Sequence, residues 1–205
     1  MELRLEVEIM DVNKVDKYKE MQIANYLDKI FDLLGVERTE SNEQTSLRVA
    51  RMWNREIFRN GSNKLSLKDE VTVTTFNGDS DMGLIITKVP FHAFCEHHLL
   101  PFSGVVQIGY VPNTRIIGLS KIPRIVDFWC HQPQLQEKLG KDILNTLKEL
   151  LDTKYCVVRV IAEHSCVACR GIETDCETDT LTEYCADVDY RPDLLLEEFL
   201  RRVGR

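Results

Sequence analysis

Residues 94–101 read Phe-Cys-Glu-His-His-Leu-Leu-Pro, and nowhere else in the chain do a thiol, a carboxylate and two imidazoles stand so close together. Of the five histidines, His92, His97 and His98 lie in or beside this stretch, and His164 stands two residues before Cys166 in a second cluster. Cys95 and His98, at i and i+3, can meet one ion within a turn, and Cys166 can complete a ligand set assembled by folding. Thiolate and imidazole donors suit tetrahedral zinc, which a structural site encloses with four protein ligands and a catalytic site leaves open to water at the fourth position. Cys169 leaves the choice open, because Cys95, His98, Cys166 and Cys169 together would close a structural site on spacing alone. His97 and His164 weigh on the catalytic side: each flanks a candidate ligand, and a hydrolytic centre needs groups that titrate near neutral pH.

A second constellation is basic. Residues 119–124, Leu-Ser-Lys-Ile-Pro-Arg, put a hydroxyl, an amine and a guanidinium where a strand ends and a helix begins. Backbone N–H groups and the helix dipole favour anions there. Arg170, followed by Gly171, adds a cation beside the second cysteine cluster. Solvated surface is the bland account of these residues, and it suffices for Lys121 taken alone.

Composition narrows the partners. The 205 residues carry a net charge of −7, with 33 Asp and Glu against 26 Lys and Arg. That average field repels nucleic acid and anionic membranes, so neither is an expected partner, and a small anionic substrate would need a local basic pocket. No apolar run approaches the roughly 20 residues that span a bilayer. The first residues lack the basic and apolar regions of a secretory signal, which points to the cytoplasm. Seven cysteines at irregular spacing then read as free thiols and metal ligands rather than disulfides.

The elements that must position these groups follow from periodicity. Residues 1–12 alternate loosely, as a short strand or frayed arm. Apolar residues at helical spacing over 15–34 predict an amphipathic helix closed by Gly35, and Ser41 to Gln44 resembles a capping box opening a second helix to residue 59, stopped by Asn60-Gly61. Alternation or β-branching predicts strands over 70–76, 83–89, 104–111 and 115–119, with a hairpin turn at Pro112-Asn113 between the last two. Helices follow over 120–129, which Ser120 would cap, and over 134–151, where Leu135, Leu139, Ile143, Leu147 and Leu150 form one stripe. In a strand over 155–164, Cys156, Val158, Val160, Ala162 and His164 share a face, which Cys166 would join if the strand continued. A short helix over 193–203 ends the chain. The expected class is α+β, a mainly antiparallel sheet backed by helices, with a helical segment over 1–66 and the main domain over 67–205.

Four segments in order, Cys95 to Pro101, Gly118-Leu-Ser-Lys-Ile-Pro-Arg-Ile-Val-Asp, Gln134-Leu-Gln-Glu-Lys-Leu and Glu163-His-Ser-Cys-Val-Ala-Cys-Arg-Gly, resemble GTP cyclohydrolase I. The resemblance implies the tunnelling fold, an antiparallel sheet backed by two helices and repeated around a ring, here with an N-terminal helical hairpin, as a homo-oligomer of two stacked pentamers. It implies Zn2+ held by Cys95, His98 and Cys166, with His164 and His97 moving protons. The implied reaction hydrates C8 of the GTP purine, opens the imidazole ring, releases formate and rearranges the ribose to give 7,8-dihydroneopterin triphosphate. Glu137 matches the carboxylate that accepts from the guanine N1–H and amino group. Gln136, Ser120, Lys121, Arg124 and Arg170 match positions around the ribose and triphosphate, and Arg48 resembles an arginine offered by a neighbouring subunit.

The chain departs from that pattern in three places. The turn before Arg48 reads Thr-Ser-Leu-Arg where the family has Thr-Pro-x-Arg. Cys169 creates a Cys-x-x-Cys, which could compete for metal or oxidise with Cys166. An acidic run over 173–179 replaces a Ser/Thr-rich segment. From the residues alone, a non-catalytic module with a closed zinc, or an enzyme of the same fold acting on a related purine nucleotide or pterin, remains open.

Overall fold

The computed structural model describes residues 12–59, 67 and 71–204. The chain divides into two compact units, Met1–Arg59 and Asn60–Arg205. Among the described residues no helix is long and apolar enough to cross a membrane.

The first unit holds α1 (Val12–Leu33) and α2 (Thr45–Met52), which one π-helical turn, Trp53–Ile57, prolongs. Ala24 and Leu27 of α1 pack on Ala50 of α2, with Ile23, Leu47 and Trp53 around them. Gly35 stops α1 as the pattern predicts: its φ of 68° is left-handed, and the Val36 N–H donates to Phe31 O at 2.9 Å. The capping box is not formed. Gln44 precedes α2 without a side-chain cap; the Ser41 hydroxyl is instead hydrogen-bonded to Thr39 Oγ1 at 2.9 Å, and Asn42 accepts from the Thr39 N–H at 2.8 Å and donates to Glu37 O at 2.8 Å. A local turn thus takes the side chain that a cap would need. Glu20, 2% exposed, faces α2 and accepts from Arg55 and Asn54. The stop at Asn60-Gly61, and nearly all of the 1–12 arm, fall outside the described residues.

The second unit contains β1 (Thr75–Asn77), β2 (Ile85–Cys95), β3 (Pro101–Val111), β4 (Arg115–Ile117), α3 (Lys121–Cys130), β5 (Pro133–Gln134), α4 (Gln136–Leu151), β6 (Tyr155–His164), the single turn α5 (Ser165–Ala168), β7 (Glu177–Cys185) and α6 (Pro192–Val203). The main sheet runs β5-β2-β3-β6-β7, antiparallel throughout except for the β5–β2 contact. The architecture is α+β, as the order of elements predicts.

Three expectations about the strands are corrected. First, β4 pairs with β1 and not with β3, because β3 is central and both of its edges are taken by β2 and β6. Second, β2 does not end at Val89. It passes through Pro90 to Cys95, with Pro90 where, among the described residues, β2 has a strand on one side alone, a setting that tolerates a missing N–H. Third, β7 begins inside the acidic run over 173–179 and continues to Cys185, where the sequence reading placed no strand. Its threonines at 178, 180 and 182 alternate with more exposed residues, the period of a strand with one covered face.

α3 and α4 cover one face of the sheet. Phe91, Ala93, Phe102, Val106, Val158 and Val160 pack there against Ile122, Ile125, Leu139, Ile143 and Leu147. A smaller core on the other face sets Phe199 and Val203 of α6 against Val111, Tyr155 and Val157. Gly109 makes that contact possible, since a Cβ on it would stand 2.7 Å from a Phe199 ring carbon. The result is a rigid sheet whose Cys95, Phe102 and His164 ends lie side by side.

Candidate active site

Two chain reversals build the site. At the end of β2 the chain turns through Glu96, His97 and His98, closed by Leu99 N–H to Cys95 O at 2.9 Å and Cys95 N–H to Leu100 O at 2.9 Å. Leu99 takes a left-handed φ of 52° to complete it. Glu96 N–H donates to Gln134 O at 3.0 Å, fastening the turn to β5. At the end of β6 the strand stops at His164, and Cys166 lies in the helical turn α5 rather than on an extended strand. That corrects the shared-face expectation for Cys166.

The two reversals bring Cys95, His98 and Cys166 together, with their donor atoms within 4.8 Å of one another and Cys95 Sγ 3.9 Å from His98 Nδ1. Among the described residues this is the group that could hold a metal ion. Cys169 is exposed and outside it, its N–H closing α5 onto Ser165 O. Two thiols and an imidazole form a soft, compact donor set, and three protein donors leave one tetrahedral position for a non-protein ligand. Burial opposes ionisation of the Cys95 thiol, yet the N–H groups of Leu100, His98 and His97 and the Cys166 thiol outweigh it and bring its pKa down. Burial, and then the adjacent Cys95, push the Cys166 thiol up. A cation bound between them would favour both thiolates.

His164 stands beside this group, its ring parallel to Phe102 within 2° at 4.8 Å. Its Nε2 lies 2.8 Å from Gln136 Oε1 and 3.1 Å from Thr178 Oγ1. Burial lowers its pKa, the Glu137 carboxylate opposing, so the imidazole is neutral at neutral pH. Glu137, exposed in the first turn of α4, lines a cavity of about 370 Å3 with Lys141, Thr180 and Thr182. Gln136 is buried and reaches no open surface. His97 is exposed on the β2–β3 turn, its ring 6.1 Å from that of His98. Arg170 is exposed just beyond α5, near enough for its charge to favour the Cys166 thiolate.

Within the second unit, Ser120, Lys121 and Arg124 are not brought in. Ser120 and Lys121 open α3, Ser120 preceding the helix without a side-chain cap, while the opposite end leads to β5 and Cys95. The helix alone interposes about 15 Å. Arg124 is exposed one turn along, and Arg48 is exposed on α2 of the other unit. The acidic run splits: Asp179, on the β7 face away from Gln136, is held by Arg159, whereas Asp175 lines a cavity of about 100 Å3 with His164 and Glu163. Thr178 and Phe102 escaped the sequence reading, although the threonine alternation over 178–182 was the available signal.

The family model for GTP cyclohydrolase I matches residues 23–203. Among similar proteins, GTP cyclohydrolase 1 of Wigglesworthia glossinidia brevipalpis is 37% identical over 196 residues, 94% of this chain and 87% of that one. GTP cyclohydrolase 1 of Finegoldia magna is 40% identical over 172 residues, 82% of this chain and 88% of its own. A crystal structure of the archaeosine synthase QueF-Like in the apo form aligns with 48% of this chain and 92% of its own, at 19% identity and a TM-score of 0.37, too distant to bear on the fold. A match across nearly the whole chain, with the cysteine–histidine group assembled by the fold, leads to one conclusion: the chain belongs to the GTP cyclohydrolase I family of enzymes.

Proposed function

We propose that the chain is a zinc-dependent hydrolase that opens the purine ring of GTP to give formate and 7,8-dihydroneopterin triphosphate. The observation that carries this reading is the three-donor group of Cys95, His98 and Cys166 with His164 anchored alongside by Gln136 and Thr178. Zinc fits the donor set, and when bound it supplies Lewis acidity that brings the pKa of a water toward neutrality. His164 receives and returns a proton at the purine imidazole, and protonation there makes C8 more open to attack. His97, exposed on the opposite turn, exchanges protons with solvent as the ring opens. Glu137 accepts from N1–H and the amino group of guanine, holding the base by a charge-assisted pair of bonds.

The triphosphate needs cations, and the closeness of Arg170 to the Cys166 thiol supports that role for it. Ser120, Lys121 and Arg124 stand apart from it within one chain, and Arg48 belongs to the other unit. We assign these four to sites completed by neighbouring copies, in a ring of tunnelling-fold subunits, two stacked pentamers, in the cytoplasm. Among the described residues the main-sheet edges at β7 and along most of β2 are unpaired, which is compatible with such a ring.

Incubating the purified protein with GTP tests the proposal. Equal amounts of formate and a fluorescent pterin after oxidation are expected, and the absence of both refutes it. A panel of dGTP and other purine nucleotides reads the base and sugar preference in the same assay.

A further inference from the structure

Gln136 sits where the resemblance expects a contact to ribose or phosphate, yet its side chain is committed elsewhere. It is 3% exposed, and Nε2 donates to Val160 O at 2.8 Å and to Thr178 O at 3.1 Å. The two nearest partners are backbone carbonyls, which only accept, and the third, Thr180 Oγ1, is farther off at 3.4 Å, so the amide has one allowed orientation: reversing it would press Oε1 against two carbonyl oxygens. Oε1 therefore faces His164 Nε2 at 2.8 Å, and Oε1 has no proton to give. Thr178 Oγ1 has one proton and two pure acceptors beside it, Gln136 Oε1 and Ala162 O at 3.1 Å. Donating to either, it meets His164 Nε2 at 3.1 Å with a lone pair.

We infer that Gln136 and Thr178 are positioning residues that hold the ring of His164 with a proton on Nε2, so that Nδ1 is the atom at which a proton is exchanged. Every other arrangement leaves two acceptors, or two donors, facing each other in a closed space. Phe102, stacked on the ring, opposes the half-turn that would put Cε1 in the place of Nε2 and Cδ2 in the place of Nδ1. Among the described residues no hydrogen bond is made by Nδ1, which stays available. The strand alternation brings Thr178 under the ring, and the first turn of α4 delivers Gln136, so helix, β6 and β7 converge on one imidazole. This inference rests on the proposed hydrolase reading for its functional meaning, though the tautomer itself does not.

Thr178→Val keeps the shape and removes the hydroxyl, and Thr178→Ser restores it. In the metal-loaded protein, with GTP as substrate, the valine variant is expected to lose about tenfold in kcat at unchanged KM and metal content, while serine stays within about twofold. A raised KM with unchanged kcat, or equal loss in both variants, overturns a positioning role. Nitrogen-15 spectra of labelled histidine, assigned by the His164→Asn difference, give a readout that needs no turnover. The expected pattern is a protonated, pyrrole-like Nε2 and a bare, pyridine-like Nδ1, and the reverse pattern overturns the inference. If GTP is not consumed but this pattern is found, the function fails and the tautomer stands.

Discussion

Phe102 and His164 stand directly opposite each other in the β3–β6 register, and their rings lie parallel 4.8 Å apart. The pairing couples the core to the site, since Phe102 is 1% exposed and His164 is its neighbour toward the opening. Phe102→Leu should fold, at a cost of about 1 kcal/mol, because leucine nearly fills the volume. It should keep its metal and lose about tenfold in kcat, as the imidazole gains freedom to tilt. Measuring thermal midpoint, metal content and kcat on one preparation decides the matter, and an undiminished kcat would show the stack to be packing alone.

Metal content separates the cysteines. Cys95→Ser and His98→Ala should each lose nearly all bound zinc, while Cys169→Ala should retain it, since Cys169 lies outside the donor group. His164→Ala should retain zinc and lose turnover. Elemental analysis per chain is the test, and loss of metal from the Cys169 variant would restore the closed structural site as the better account.

Much of this was legible beforehand, and the exceptions have physical causes. Cys95, His98 and Cys166 were legible as candidate ligands because few residue types bind soft metals, but spacing kept Cys169 in the set, and it was the resemblance that singled out the three. The helices 15–34 and 134–151 were legible because long apolar stripes outvote local preferences. Strand β7 was not, because Glu177, Asp179 and Glu183 dominate its composition, and the partner face needs only Thr178, Thr180 and Thr182. The buried role of Gln136 was also hidden, since no local pattern says that a glutamine on a first helical turn will meet two strand carbonyls.

Gly104 marks the closest approach of β3 to β6. A Cβ there would fall 1.9 Å from Ile161 O and 2.8 Å from Ala162 Cα, both backbone atoms that cannot rotate away. Gly104→Ala should therefore cost about 3 kcal/mol and disturb the strand pair that carries Phe102 and His164. Thermal unfolding of the soluble fraction tests this, and a shift under about 2 °C would mean the strands separate easily.

The helical unit should be sensitive to acid. The hydrogen-bonded Arg55 holds the Glu20 carboxyl below the ordinary carboxylate value of 4.5, against the opposing effect of burial. A depressed native pKa means the unfolded chain binds the proton more readily. The stabilisation is thus complete above about pH 4.5 and fades as pH falls through the lower native value. Glu20→Gln should lower the melting temperature at pH 7 by a few degrees, with the difference from the parent closing as pH drops below 4.5. A difference independent of pH would assign the loss to shape rather than charge.

Sharing of sites between copies can be read from mixed oligomers. Arg124 is exposed on α3, whose opposite end leads toward Cys95, whereas His164 adjoins the metal group, so a site completed across an interface would draw them from different chains. Arg124→Ala and His164→Ala should each be inactive alone. Co-assembled at random in equal amounts, they should recover about a quarter of parental activity, because one site in four then has an intact His164 facing an intact Arg124. If both residues served one site within one chain, every site would carry one defect and co-assembly would restore nothing. Activity of the co-expressed pair, set against the two variants mixed without exchange, distinguishes these outcomes.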